Sequence, residues 1–235
     1  MKVEIAENML YSWLRHCMGC QIVQTNYKVA KQWKQKNEQK MTELLNQFHK
    51  EKKFEKFHFT SGKDKTSGKT RYQHLSTILN TTECDSVGIL FDDKNTMKVF
   101  AYESAFHESK THYNDNIGDG DKKSINITPQ KVIKKLFRNY LMVRSFFPNI
   151  KVELAFAAPL IADKDLKEIN TNVKTLEAFV AEHADEKKLE ILIISGDKFK
   201  KKIFQPLSDK IKEIADESEL FVRAVKLLRQ MDKIE

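Results

Sequence analysis

The amino-acid sequence predicts an α/β fold, a mixed central sheet flanked by helices on both faces. Short runs rich in apolar and β-branched residues recur at 82–91, 97–106, 151–158 and 189–195, each of strand length. Longer stretches with apolar residues at helical spacing lie between and before them, over 5–18, 129–147 and 165–183. Strands alternating with helices in this order pack as a sheet with helical layers. The 235 residues suffice for a single domain, read as a core over about 5–158 with a C-terminal α/β extension over 159–235.

In chain order, residues 5–18 place Leu10, Trp13, Leu14 and Cys17 on one helical face, and Gly19 offers a terminator. Residues 21–27 fit a short strand or an extended connection. A helix is expected over about 31–57, with Trp33, Met41, Leu44, Leu45, Phe48 and Phe54 set among lysines. Ser61 to Arg71, SGKDKTSGKTR, reads as a polar basic loop. Its Gly62 to Gly68-Lys69-Thr70 interval is one residue too long for a phosphate-binding loop, which leaves a surface loop or a contact to phosphate backbones. A short helical turn over 74–79 leads into a hairpin, Thr82 to Glu108, turning at Asp92-Asp93-Lys94-Asn95. A polar insertion over 109–128 follows, and its aspartates lack the calcium-loop spacing. Pro129 then opens a helix with an apolar stripe through Val132, Ile133, Leu136, Phe137, Tyr140 and Leu141, and a basic stripe of Lys131, Lys134, Lys135 and Arg138. Strand 151–158, helix 165–183, strand 189–195 and closing helices over 203–231 complete the chain.

The charge is uneven. Residues 1–80 hold fifteen Lys/Arg against seven Asp/Glu and carry the whole net charge of +8, which suits a polyanionic partner or a solvated lysine-rich surface. Forty per cent hydrophobic content and fifteen phenylalanines exclude a disordered chain. Cys17 and Cys20 are spaced like half of a zinc knuckle, but no second half follows, so packing thiols are expected. Glu4 and Glu7 interrupt the amino end before any apolar run and no stretch is apolar enough to span a bilayer; a cytoplasmic protein with no membrane partner is expected.

Within the hairpin, Asp85 lies on the first strand and Glu103 near the end of the second, which is rich in apolar and aromatic residues. A carboxylate in a buried strand is costly unless a lysine, a set of hydrogen bonds or a metal compensates it. An acidic residue in the first helix, then Glu83-Cys84-Asp85-Ser86-Val87-Gly88, then Val99-Phe100-Ala101-Tyr102-Glu103-Ser104-Ala105, resembles the PD-(D/E)XK nuclease superfamily, the restriction-endonuclease-like fold. That family shares a core of helix, three meandering strands, helix and strand. The resemblance implies that Asp85 and Glu103 are the two metal-binding acids and that Glu7 is the helical glutamate some members add. It departs at the lysine that normally follows two residues after the second acid, where this chain has Ala105. Strand alternation puts His107 on the face of Glu103, and Lys131 or Lys135 on the next helix could fill the same role.

Phosphodiester hydrolysis needs an activated water and neutralised phosphate charge, which one or two ions held by carboxylates supply. A set of hard oxygens from Asp85, Glu103 and Glu7 suits Mg²⁺, with Mn²⁺ as a substitute. His107, at its ordinary pKa, suits orienting or deprotonating water. Each residue also has a plainer role open to it: Asp85 as a turn cap or lysine partner, Glu103 as an ion-pair member, Glu7 as a helix-dipole partner, His107 as a packing residue. The resemblance implies a Mg²⁺-dependent endonuclease acting on double-stranded DNA, with a type II restriction enzyme among the implied types and a homodimer as the simplest source of two active sites. The alternative is a non-catalytic or weakened nuclease-fold protein that binds nucleic acid without cutting it.

Overall fold

The computed structural model describes residues 5–30, 32–64, 67–92, 96–105, 128–184, 189–214 and 219–231. Its centre is a five-stranded mixed sheet in the order β1 (Ile22–Tyr27), β4 (Cys84–Phe91), β5 (Met97–Ser104), β6 (Lys151–Ala157) and β7 (Leu189–Ile194). The first three neighbours run antiparallel, whereas β5–β6 and β6–β7 are parallel. The parallel pairs are joined by crossover helices α4 (Pro129–Phe146) and α5 (Asp163–Ala184), as parallel strands require. The expected α/β sheet with helices on both faces is therefore present.

Alternation along β5 sorts the core into two layers. Val99 and Ala101 pack with α4 and α5, whereas Phe100 and Tyr102 pack on the other face with α1 (Ile5–His16) and the C-terminal helices. On that second face, Leu10 and Leu14 of α1 are fully buried and Trp13 lies 5.6 Å from Tyr102 between ring centroids. Gly88 permits the close approach, because a Cβ there would stand 2.9 Å from Cys20 Sγ and 3.2 Å from Leu14 Cδ2. Gly19, at φ +73°, turns the chain out of α1 as expected. Cys20 is buried and free, its thiol pushed up to about 11 by burial, in keeping with a packing role.

Between the neighbouring strands β1 and β4 the chain inserts a subassembly. It comprises α2 (Glu38–Lys50), a 3₁₀ turn (Lys52–Phe57), the two-stranded ribbon β2 (Thr60–Lys63) and β3 (Thr70–Tyr72), and α3 (Leu75–Thr81). The helix expected over 31–57 is shorter at both ends. The backbone amides of Lys36 and Asn37 donate to Ser145 O on α4, holding the approach to α2 out of helical geometry, and Glu51 is extended. The basic stretch expected as a loop is an antiparallel hairpin whose described strand residues are all exposed. Residues 21–27 resolve as strand β1.

Beyond β7, α6 (Asp197–Phe199), a π-turn (Lys200–Phe204) and α7 (Gln205–Lys210) form one continuous helical run, followed by α8 (Leu220–Met231). Glu219, just before α8, is buried; it accepts from Ser12 Oγ at 2.6 Å and from Arg15 Nη1 at 3.2 Å, and pairs with His16 Nε2 at 2.8 Å. This fastens the start of α8 to α1. No described helix is long and apolar enough to cross a membrane.

Candidate active site

The antiparallel ladder between β4 and β5 pairs Ser86 with Tyr102, and the same register continued by one residue sets Asp85 opposite Glu103. Like charges directly opposite on neighbouring strands repel. Glu103 is fully buried, so its charge also suffers desolvation. Three groups offset these costs. Lys135 of α4 donates to Glu103 Oε2. Asn139, one turn further along α4 and buried itself, donates to Glu103 Oε1 at 2.8 Å. On the Asp85 side, Ser104 donates to Oδ2 from its amide at 2.7 Å and from its hydroxyl at 3.3 Å. The Lys135 Nζ also lies 3.8 Å from Asp85 Oδ2, so one ammonium serves both carboxylates.

Burial dominates the electrostatics. It pushes the Glu103 carboxyl up to about 7, with Asp85 adding to the rise and Lys135 and Asn139 opposing it. Lys135 loses hydration on burial, yet the attraction of Glu103 and Asp85 holds its ammonium above the usual lysine range. Glu103 is thus a carboxyl poised near neutrality beside a cation that stays charged.

These side chains line an open pocket of about 260 Å³ together with Thr81, Thr82, Glu83, Arg138 and Asn139. Glu83 sits at its rim and pairs with Lys28 at 2.5 Å. The helical spacing of Lys135, Arg138 and Asn139 aims all three at the strand ends. Asp85, Glu103 and Lys135 are therefore brought together. Glu7 is not: α1 packs on the opposite face of the sheet from α4, and the Glu7 carboxylate accepts from Asn26 Nδ2 at 2.9 Å. His107 and the polar insertion, apart from Thr128, lie outside the described residues. Arg138 and Asn139 add to the expected set. Arg138 stood in the basic stripe of the sequence, whereas Asn139 carried no signal there beyond its helical spacing from Lys135.

Among the described residues no three His, Cys, Asp or Glu side chains group closely enough to hold a metal ion. Two carboxylates are nonetheless a fitting donor set for Mg²⁺, which keeps several waters and commonly takes one or two carboxylates plus substrate oxygens. Glu103 in particular is a buried carboxyl whose ionised form would gain from a further cation. No protein-family model, curated protein or solved structure matches this chain.

Proposed function

We propose that this protein is a metal-dependent endonuclease of the PD-(D/E)XK type, acting on double-stranded DNA. The observation that carries the reading is the placement of Lys135: an ammonium supplied from α4 reaches both acids of the pocket, in a chain whose strand position for that lysine is Ala105. Ala105 is buried in the apolar layer against α4, which leaves the helix as the natural source of the cation. The element order supports the reading. Helix α1, antiparallel neighbours β1, β4 and β5, then α4 and parallel β6 follow the core that the resemblance implies, with the α2–α3 subassembly inserted between the first two strands.

In this reading Asp85 and Glu103 would hold the ion through carboxylate oxygens. Bound Mg²⁺ supplies Lewis-acid polarisation of the phosphate and a more acidic water. Glu103 would have to be ionised to hold the ion, which its value near 7 allows at neutral pH. Lys135 steadies the attacking water and offsets negative charge gathering on the phosphate oxygens, a role suited to a preorganised cation in a partly dry site. Asn139 fixes the Glu103 carboxylate by its 2.8 Å hydrogen bond, and Ser104 fixes Asp85. Cutting both strands calls for two such sites, most simply in a homodimer; a restriction enzyme is one type that fits.

A second reading, a weakened member of the fold that binds without cutting, draws on the same triad: Asp85, Lys135 and Glu103 already neutralise one another in part, and among the described residues no third acid groups with the two closely enough to hold a metal ion. Cleavage of plasmid and phage DNA in Mg²⁺ or Mn²⁺ separates the two. Discrete metal-dependent fragments from the unaltered protein, lost in both Asp85→Ala and Glu103→Ala, are expected. No cutting of modified or unmodified DNA, with salt-sensitive binding retained, would leave only the binding protein.

A further inference from the structure

Arg138 lines the same pocket as Asp85, Glu103 and Lys135, yet it has no hydrogen-bond or ion-pair partner among the described residues. Its Nε is fully buried and its N–H has nothing to donate to. Buried polar groups are satisfied as a rule, and an exception asks for an explanation such as a ligand. Lys135, one turn earlier, is fully engaged by carboxylates. Arg138 has five donors in a planar fork and uses none of them on the described protein.

The guanidinium is nevertheless held. It lies over the ring of Phe59, 5.1 Å from the centroid, and Phe59 is itself buried against Phe48 and Phe137. The aromatic support is therefore rigid. Burial lowers the Arg138 pKa from its usual value, and Glu103 acts in the opposite direction. Lys134, four residues earlier on α4, is lowered by its own burial and then by the neighbouring Arg138 charge, so a second cation stands close by. An oriented, partly desolvated guanidinium with spare donors and a cationic neighbour is suited to a doubly hydrogen-bonded oxyanion.

We propose that Arg138 is a phosphate-binding residue, taking the non-bridging oxygens of a nucleic-acid phosphodiester at the edge of the Asp85–Glu103 pocket. The proposal rests on the nucleic-acid reading of that pocket and adds the residue that seats the strand. It also gives the strand a course. Phe59 leads directly into the β2–β3 ribbon, whose base is closed by Gln73 N donating to Phe59 O at 2.8 Å, and Lys63 and Lys69 are exposed along that ribbon. A backbone leaving the pocket over Arg138 would meet this basic ribbon next.

Fluorescence anisotropy on a short labelled DNA duplex, without divalent metal and over a range of KCl concentrations, tests this. Loss of one phosphate contact makes the slope of log K against log[salt] shallower by about 0.9. Arg138→Gln is expected to show that change and to bind about tenfold more weakly on unrelated sequences alike, as removal of a backbone contact does. Arg138→Lys keeps the charge and so the slope, while losing several-fold in affinity with the planar fork; it also serves if Arg138→Gln fails to fold. An unchanged slope in a folded Arg138→Gln, or wild-type affinity in Arg138→Lys, overturns the proposal, as does a wild-type protein that binds no DNA. Cutting of the same duplex in Mn²⁺ keeps the two ideas apart. Binding changes as expected with no cutting by the wild type sink the nuclease alone, and intact cutting with an unchanged slope sinks Arg138 alone.

Discussion

Lys135 extends from α4 to the buried carboxylate of Glu103, and the same ammonium stands 3.8 Å from Asp85 on the neighbouring strand. One cation thus bridges two acids that would otherwise face each other across the ladder. The arrangement ties the helix to the sheet at the point where the pocket opens.

Removing that cation leaves Glu103 buried and short of charge compensation. Breaking a fully buried pair costs about 3–5 kcal/mol. The Lys135 side chain is 38% exposed and partly screened by solvent, so Lys135→Ala is expected to cost less, about 1–2 kcal/mol in urea denaturation. Adding Glu103→Gln to Lys135→Ala should recover part of the loss, because a neutral amide needs no counter-charge. A double variant less stable than either single one contradicts this account.

The raised Glu103 value makes stability depend on pH in a defined window. Below pH 4.5 the carboxyl is protonated in both folded and unfolded chains; between 4.5 and about 7 only the folded chain keeps the proton. The folded state binds more protons there, so this contribution is fully present below pH 4.5 and is lost as pH rises towards 7. A full loss amounts to about 3 kcal/mol. Lys135, raised above 10.5, acts only in the alkaline range and does not oppose the trend. Denaturation at pH 5 and 7.5 is expected to give a smaller fall in Glu103→Gln than in the wild type, and equal falls would be inconsistent with the assignment.

Metal affinity carries the opposite sign. On the proposed reading a divalent ion would bind ionised Glu103, so Mn²⁺ affinity is expected to rise up to about tenfold per pH unit below 7 and to level off above it. Calorimetry in buffers of different ionisation enthalpy should register a proton released at pH 6 and almost none at pH 8. Asp85→Asn should weaken binding while keeping the proton release from Glu103. A pH-independent affinity would place the ion elsewhere.

Gly88 sets the distance between α1 and the sheet. Gly88→Ala drives a methyl into Cys20 Sγ and Leu14, and overpacking of this kind costs about 1–3 kcal/mol. Adding Cys20→Ala removes the atom at 2.9 Å and should recover a large part of that loss in thermal unfolding. No recovery would mean that Leu14, not Cys20, is the rigid neighbour.

The parts of the site that follow local periodicity were legible in the sequence. The two apolar runs around the Asp92–Asn95 turn placed Asp85 and Glu103 on adjacent strands, and the basic stripe of the 129–147 helix offered Lys135 to stand where Ala105 could not. Features set by distant partners were not legible. Helical spacing gave Glu7 a face but could not say which side of the sheet α1 would cover. The β2–β3 ribbon has no alternating apolar residues to announce it. The late start of α2 depends on Ser145, more than a hundred residues away, and the seat of the Arg138 guanidinium depends on Phe59 arriving from a separate element.

The clasp of Glu219 on Ser12 joins residues 207 positions apart. At roughly 5–20 residues per second of synthesis, about 10–40 s separate the emergence of the two partners from the ribosome. Throughout that interval α1 has its sheet-facing side available for burial, while Ser12, Arg15 and His16 await their shared carboxylate. Helix α1 is thus completed only once residue 219 has been made, and a nascent chain stalled before that residue should display α1 as a readily opened element.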